Sequence, residues 1–207
     1  MNRIEALSSF INEDDKVIDV GCDQAKLGIM LAYRGIKSIG SDISDKVITK
    51  AQETIDKLDL NSYVKLIVSD GLVDVKEDVD TLVLAGMGSH TMLEIIYKTN
   101  IKFKKIITIS NNYHDMLRRD MLKYNYCVSE ELIINENNKY YNLIVFVPGT
   151  RDYTEEELLI GVNHKNKELY NEYLTFLLNK YLNIKKDSKD KNSKIDLLIE
   201  IIKKNIQ

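Results

Sequence analysis

Short apolar runs alternate with helical patterns through the first 125 residues of the chain. This alternation predicts a parallel sheet with helices on both of its faces. The predicted strands are 17–20, 38–41, 64–68, 81–85 and 106–110. The predicted helices are 26–33, 45–58, 90–97 and 115–124, and Ser44 is the expected N-cap of the second helix.

Two further apolar runs, 132–134 and 142–147, follow without a helix between them. The polar turn Glu-Asn-Asn-Lys joins them, so they predict an antiparallel hairpin that completes the sheet. The pattern changes after Pro148-Gly149-Thr150. We therefore expect a first domain over 1–150 and a helical unit over 151–207.

Two helices with coiled-coil spacing are predicted in the second unit. Apolar side chains recur at intervals of four and three along each helix. The first series is Tyr170, Leu174, Leu177, Tyr181 and Ile184, and the second is Ile195, Ile199, Ile202 and Ile206. The charged segment 185–193 separates them. The pattern favours an antiparallel helical hairpin, packed on itself or on the first domain, over a dimerising coiled coil, and we expect a monomer because each helix is short.

Composition narrows the class of protein. The chain has 207 residues, of which 44% are hydrophobic and 29% charged, as in globular proteins. No apolar run reaches membrane-spanning length and the N-terminus lacks the apolar core of a signal peptide, so we expect a cytoplasmic protein. Cys22 and Cys127 form no disulfide or metal-ligand framework, and no metal is expected. The net charge of −3 does not indicate nucleic-acid binding, but residues 98–123 carry seven Lys or Arg against two Asp.

The end of the first predicted strand reads Asp19-Val20-Gly21-Cys22-Asp23. Ligands of open α/β sheets bind beyond the carboxyl ends of the strands. Gly21 permits close approach of the backbone to a ligand, and the next helix offers N–H groups. Asp23 stands where a dinucleotide fingerprint has its second glycine, and it would repel a pyrophosphate. The α-amino group and sulfonium of S-adenosylmethionine would instead be attracted, so the turn favours that ligand over NAD.

Three further strand ends carry fitting groups. Asp42, followed by Ile43, is placed to accept hydrogen bonds from ribose hydroxyls. Asp70 can accept from the exocyclic amine of an adenine while the backbone of Gly71 contacts the ring. The glycine-rich run lets the backbone pass close to the reactive end of a ligand, and it comprises Ala85, Gly86, Met87 and Gly88. The first turn alone is open to an interpretation as ordinary turn chemistry, but the four ends in order predict S-adenosylmethionine along the carboxyl edge.

Five stretches of the chain resemble the bacterial tRNA adenine-22 N1-methyltransferases. They are VGCDQAKLG, VSDGL, LAGMGS, ISNNYHDMLRRDML and NKYYNLIVFVPG, and the likeness runs from about Arg3 to Gly149. The resemblance implies a Rossmann-like class I methyltransferase fold with a seven-stranded, mostly parallel sheet of order 3-2-1-4-5-7-6. It implies S-adenosylmethionine as cofactor, tRNA as partner and methylation at N1 of adenine 22 in the D-arm region. The C-terminal helices resemble a short form of the family's coiled-coil appendage.

The chain departs from the family pattern at four positions. Gln24 stands where the family commonly has histidine, and Ser89 where it has glycine. Ser110 and Asn111 replace a Gln-Pro pair, whereas Asn112 keeps its place. All four departures lie on the side of the site where the family binds its substrate.

N1 of adenine is already nucleophilic, so the chemistry needs positioning and groups that stabilise charge developing on the base. Asn112 is the candidate catalytic residue that contacts the base, and its alternative is to cap the helix that begins near Asp115. Tyr113 and Tyr141 are candidates for stacking on a base, with hairpin packing as the alternative for Tyr141. The candidate phosphate contacts are Arg3, Arg118, Arg119 and Lys123, and a solvated helix face is the alternative for those on the helix. Lys139 keeps its place in the family pattern, and the resemblance implies that it contacts the RNA.

Two other functions fit the same sequence. A small-molecule methyltransferase would need an enclosed acceptor pocket, with the C-terminal helices as a lid. A non-catalytic RNA-binding protein would keep the cofactor turn as a relic. Outside the site, His164 is expected at the surface of the appended unit, and Cys22 as a small packing residue.

Overall fold

The structure is a computed structural model that describes residues 1–162, 164–187 and 193–206. Its strands are β1 (Val17–Val20), β2 (Ser38–Asp42), β3 (Val64–Val68), β4 (Thr81–Ala85), β5 (Lys105–Ile109), β6 (Tyr126–Glu136) and β7 (Lys139–Pro148). They form one seven-stranded sheet of order β3-β2-β1-β4-β5-β7-β6. Strands β1 to β5 are parallel, and β7 runs antiparallel to β5 and β6. The expected fold class and strand order are confirmed.

Helices cover both faces of this sheet. They are α1 (Arg3–Ser9), α2 (Lys26–Tyr33), α3 (Asp45–Lys57), α4 (Ser89–Lys98), α5 (His114–Met121) with a 3₁₀ turn (Leu122–Tyr124), α6 (Glu155–Ile160), α7 (Lys167–Asp187) and α8 (Ser193–Asn205). Successive residues of β4 show the two-sided burial, because Leu82 and Leu84 join one apolar cluster and Val83 joins the other. Burial on both faces explains why the central strands are continuous apolar runs.

The β6–β7 hairpin closes the sheet through a two-residue turn. Asn137 and Asn138 both have left-handed backbone, with φ of 53° and 60°. Two adjacent residues of positive φ match the right-handed twist of the paired strands, and asparagine tolerates that conformation. The predicted turn is confirmed, but β6 begins at Tyr126, six residues before its predicted start.

The C-terminal helices pack on each other and on the first 150 residues. Leu174 of α7 and Ile202 of α8 are fully buried in a shared apolar cluster. Ile184, predicted in the α7 seam, is instead 39% exposed. The rings of Tyr173 and Phe176 lie 5.6 and 5.1 Å from the ring of Tyr140 on β7. Much of the predicted linker, 188–192, lies outside the described residues.

Within the described ranges, no helix combines the length and the apolar character needed to cross a membrane.

Candidate functional site

The β1–α2 turn gathers the carboxyl ends of three strands. The N–H groups of Gly21 and Cys22 both donate to the carbonyl oxygen of Ser41 on β2, at 2.8 and 3.0 Å. Gly21 has φ of +78°, and a Cβ there would lie 3.0 Å from Cε of Met87 in the β4–α4 turn. The backbone conformation therefore favours glycine, because a side chain would strain the turn, and a Cβ would also displace the flexible end of Met87.

A cleft of about 660 Å³ opens at this edge of the sheet. Five of the predicted cofactor residues line it, namely Asp19, Gly21, Asp23, Ala85 and Gly86. Its other wall comes from α1 and the end of β6. Asn2, Arg3 and Glu136 supply the polar groups of that wall, and Gln24 and Lys26 add polar groups from the β1–α2 turn and the start of α2.

Asp19 forms the buried acidic part of the cleft. Asp19 is 8% exposed, and its carboxylate has no hydrogen-bond or ion-pair partner among the described residues. Burial alone raises the pKa of Asp19 to about 7. Burial, followed by the charges of Asp19 and Asp42, raises the pKa of the Cys22 thiol to about 12. A buried carboxylate that borders a cleft without a partner fits a ligand bearing a positive charge.

Four other predicted cofactor residues continue along the same edge. Asp42 accepts a hydrogen bond from the Ser44 N–H at 2.9 Å, and Ile43 beside it is 70% exposed. Asp70 and Gly71 border a second cleft of about 430 Å³ between the β3–β4 connection and α4. Asp19, Asp42 and Asp70 lie at the ends of β1, β2 and β3, which are neighbouring strands. A nucleoside that extends from β1 towards β3 would pass these carboxylates in that order.

Asn112 belongs to a clamp between the β4–α4 and β5–α5 turns. The hydroxyl oxygens of Ser89 and Ser110 lie 2.7 Å apart, and each lies within hydrogen-bond reach of the Asn112 carbonyl, at 2.6 and 2.8 Å. Both serines are almost completely buried. Asn111 adds a bond from Nδ2 to the carbonyl of Gly86, at 2.8 Å. Three of the residues that depart from the family pattern thus tie the turns together, and sequence reasoning gave them no role.

The side chain of Asn112 contacts the start of α4. Its Oδ1 accepts from the Ser89 N–H at 3.4 Å, and α5 has no side-chain cap. The alternative that Asn112 caps the helix near Asp115 is therefore wrong. Tyr113 follows with a left-handed φ of 51° and a 57% exposed side chain, whose ring lies 5.6 Å from that of His90. A non-glycine residue in this conformation needs a surrounding structure that holds it, and the clamp supplies that structure.

Comparison with known proteins identifies the family. A family described as "Methyltransferase domain" matches residues 1–144. The chain belongs to this family. It is 28% identical over 156 residues to the tRNA (adenine(22)-N(1))-methyltransferase of Bacillus subtilis, an alignment that covers 72% of this chain and 66% of that protein, just under two thirds.

Two solved structures are similar in fold to the full chain. The structure of M. capricolum TrmK in complex with S-adenosylhomocysteine is 28% identical, with a TM-score of 0.87, and the match covers 100% of this chain and 99% of that one. The structure of the B. subtilis m1A22 tRNA methyltransferase TrmK is 22% identical, with a TM-score of 0.81 over 100% of this chain and 98% of that one. The second likeness supports the fold alone.

The structure corrects one predicted RNA contact of this methyltransferase domain. Arg118 is fully buried, because α5 turns the face bearing Leu117, Arg118 and Met121 towards the protein. Its Nε and Nη2 donate to the two carboxylate oxygens of Glu131 at 2.8 and 2.6 Å, and Nη1 donates to the carbonyl of Leu158 at 2.7 Å. A guanidinium with these partners has no access to an RNA phosphate.

His164 also differs from expectation. Its side chain is only 5% exposed, and its ring stacks on Tyr170 with 3.8 Å between centroids. The position predicted as surface is therefore part of the packed junction between β6 and the C-terminal unit. Desolvation of the ring lowers the pKa of His164, and the charge of Glu131 opposes this shift.

The other predicted RNA contacts remain accessible. Arg119 and Lys123 are exposed and form ion pairs with Glu155 at 3.6 Å and Asp120 at 2.8 Å. Lys139 is exposed at the end of the hairpin turn. Arg3 and Tyr141 contact each other beside the cleft. No group of three or more His, Cys, Asp or Glu side chains suited to a metal ion occurs among the described residues.

We predict that Ser110→Ala lowers methyl transfer by at least about tenfold while leaving cofactor affinity unchanged, because the hydroxyl positions the Asn112–Tyr113 turn rather than the cofactor edge. Steady-state rates and calorimetric cofactor binding give the two readouts. Ser38→Ala is the matched control, since Ser38 is a buried serine of β2 whose hydroxyl has no hydrogen-bond partner among the described residues. Equal losses in both variants, or weaker cofactor binding by Ser110→Ala, would contradict the positioning role.

Proposed function

We propose that this protein is an S-adenosylmethionine-dependent tRNA methyltransferase that modifies N1 of adenine 22 in the D-arm region. The observation that carries the proposal is the row of carboxylates Asp19, Asp42 and Asp70 at the carboxyl ends of adjacent strands. The RNA substrate is supported by the 28% identity, over 156 residues, to the tRNA (adenine(22)-N(1))-methyltransferase of Bacillus subtilis.

When bound, the cofactor supplies an activated methyl group. Asp19 and Asp23 attract its α-amino group and sulfonium, because both carboxylates border the cleft. Asp42 accepts from the ribose hydroxyls through the oxygen that does not bond Ser44. Asp70 accepts from the adenine amine, and Gly71, with φ of +62°, brings backbone close to the ring.

The acceptor adenine needs no general base, since its N1 lone pair is available at neutral pH. The work of the protein is to hold N1 in line with the methyl group and to stabilise positive charge as it develops on the base. Asn112 offers an amide to the Watson–Crick edge, and Tyr113 offers an exposed ring beside it. The carboxylates of the cleft stabilise the same charge through space.

A small-molecule acceptor is less well supported. The residues that line the cleft all come from the first 136 positions, so the described parts of α6, α7 and α8 form no lid over it. Retention of Gly21, Asp23, Asp42 and Asp70 also argues against a relic site. We further propose that 151–207 is a distinct helical unit, and that the protein acts as a monomer in the cytoplasm, where its tRNA substrate is found.

The deciding experiment is methyl transfer from labelled S-adenosylmethionine to unmodified tRNA, followed by nucleoside analysis. We expect 1-methyladenosine from a tRNA with adenine at position 22, and none from the same tRNA with guanine there. Asp42→Ala should abolish product by abolishing cofactor binding while the protein stays folded. Cofactor binding by the parent protein without any product from tRNA would refute the proposed substrate.

Arg119 and Lys123 give a test of the RNA-binding face. The double variant Arg119→Ala/Lys123→Ala is expected to weaken tRNA binding and to reduce the slope of log affinity against log salt by about one to two. Fluorescence anisotropy at several salt concentrations measures the slope. Lys16→Ala with Lys104→Ala is a charge-matched control, because both lysines pair with aspartates near the amino ends of the strands. An unchanged slope in the first variant would remove α5 from the interface.

A further inference from the structure

The planar guanidinium of Arg3 is held at the rim of the cleft of about 660 Å³. The guanidinium carbon of Arg3 lies 4.3 Å from the centroid of the Tyr141 ring. Its Nε donates to Oε2 of Glu136 at 2.6 Å, and the backbone N–H of Arg3 donates to Oε1 at 3.4 Å. The capping box between Asn2 and Glu5 holds the start of α1. The orientation of the guanidinium plane is therefore set by two strands and a helix terminus.

The guanidinium of Arg3 lies in the cleft that is proposed to hold the methyl-donating end of the cofactor. Arg3 and Glu136 line the same cleft as Asp19, Gly21 and Gly86. The Arg3 side chain is 40% exposed although one of its faces is covered by Tyr141. The guanidinium therefore keeps exposed surface on which a flat ring can stack.

The contacts of Arg3 do not suit a phosphate contact. Glu136 already neutralises its charge, and the bond from Arg3 lowers the pKa of Glu136, which keeps that carboxylate ionised. A second anion would face Glu136 at close range. Stacking has no such penalty, because nucleic-acid bases stack on guanidinium planes and aromatic rings alike.

We propose that the Arg3–Tyr141 stack is the platform on which the acceptor purine of the RNA rests during methyl transfer. The inference rests on the proposed function and assigns its acceptor subsite. The base leaves its helix, enters between α1 and the β6–β7 turn, and lies over the guanidinium with its N1 edge towards the β4 end. Arg3 thus acts through its plane, and Glu136 is the positioning residue that holds this plane.

Four variants separate stacking from charge. Arg3→Ala removes both, whereas Arg3→Lys keeps the charge but loses the plane. Tyr141→Leu removes the ring, and Tyr141→Phe restores it. We expect kcat/KM for tRNA to fall about tenfold or more in Arg3→Ala, Arg3→Lys and Tyr141→Leu, and to stay near the parent value in Tyr141→Phe. Calorimetric affinity for S-adenosylmethionine should not change in any of them, and thermal melting confirms folding.

The other outcomes refute the platform. Full activity in Arg3→Lys, with a salt slope reduced only in Arg3→Ala, would make Arg3 a phosphate contact. Weaker cofactor binding in both Arg3 variants would assign Arg3 to the cofactor carboxylate. The parent protein serves as the separate control for the proposed function, because absence of 1-methyladenosine there refutes the methyl transfer itself. A normal parent with normal Tyr141→Leu would leave that function standing and overturn the platform alone.

Discussion

Asp19→Asn is expected to stabilise the ligand-free protein at pH 8 while greatly weakening its affinity for S-adenosylmethionine. The folded protein raises the pKa of Asp19 from 3.8 to about 7, so ionising this carboxyl opposes folding. Stability falls as the pH rises from 3.8 to 7, and the penalty is complete above 7. At 1.36 kcal/mol per pKa unit it reaches at most about 4 kcal/mol. Denaturant unfolding should show the gain at pH 8 and almost none below pH 4.

The same carboxylate makes cofactor binding depend on pH. Only the ionised form attracts the cationic end of the cofactor, and binding should release about one proton at pH 6. We expect the affinity of the parent protein to rise roughly eightfold between pH 6 and 7.5, and the Asp19→Asn variant to lose this dependence. Calorimetry in buffers of different ionisation enthalpy counts the protons directly.

Asp23→Asn is the control on the same turn. Asp23 is exposed, so its loss should weaken cofactor binding while the pH dependence carried by Asp19 remains. A parent affinity that is flat from pH 6 to 7.5, or an Asp19→Asn variant that binds as tightly as the parent, would show that Asp19 does not face the cofactor. A binding loss without any stability gain at pH 8 would contradict the role of burial.

The sheet and its ligand-facing edge were predictable because local pattern determines them. Strands β1, β3 and β4 begin and end at the predicted residues. A strand buried on both faces is an uninterrupted apolar run, and the glycine and aspartate that end it are the residues proposed to contact the cofactor. The hairpin turn was predictable for the same reason, since the Asn137–Asn138 pair specifies its own backbone conformation.

Elements that depend on distant partners were not predictable in this way. Ser129, Glu130 and Glu131 interrupt the apolar pattern of β6, so only 132–134 was recognised as strand. Glu131 is nevertheless fully buried, because Arg118 from α5 compensates its charge. The helices α1 and α6 were missed because they are only seven and six residues long, although each begins with a capping box that is readable in sequence.

Two adjacent arginines of α5 have opposite surroundings for a geometric reason. A helix turns by 100° per residue, so Arg118 and Arg119 cannot face the same environment. The charge surplus of residues 98–123 therefore overstates the basic surface available to RNA.

The buried Arg118–Glu131 ion pair has further hydrogen-bond partners. The N–H of Val162 donates to Glu131 at 3.1 Å, and Asn142, in the amide orientation that satisfies both neighbours, bridges Arg118 and Glu131. The buried pair thus joins α5, both strands of the hairpin and the C-terminal unit.

Arg118→Ala is accordingly expected to lower the free energy of unfolding by about 3–5 kcal/mol, because it leaves Glu131 charged, buried and unpaired. Arg118→Ala/Glu131→Gln should recover part of this loss by removing the unpaired charge, which also provides a folded protein if the single variant unfolds. Arg119→Ala, one residue away and half exposed, should change stability by less than about 0.5 kcal/mol.

Denaturant unfolding measures the stability of all three variants. The salt dependence of tRNA binding separates a structural role of Arg118 from an RNA contact, since the Arg118→Ala/Glu131→Gln variant should keep the parent slope. A reduced slope in that variant would place Arg118 at the RNA after all, and a stability loss under 1 kcal/mol in Arg118→Ala would show that the pair does not hold the C-terminal unit in place.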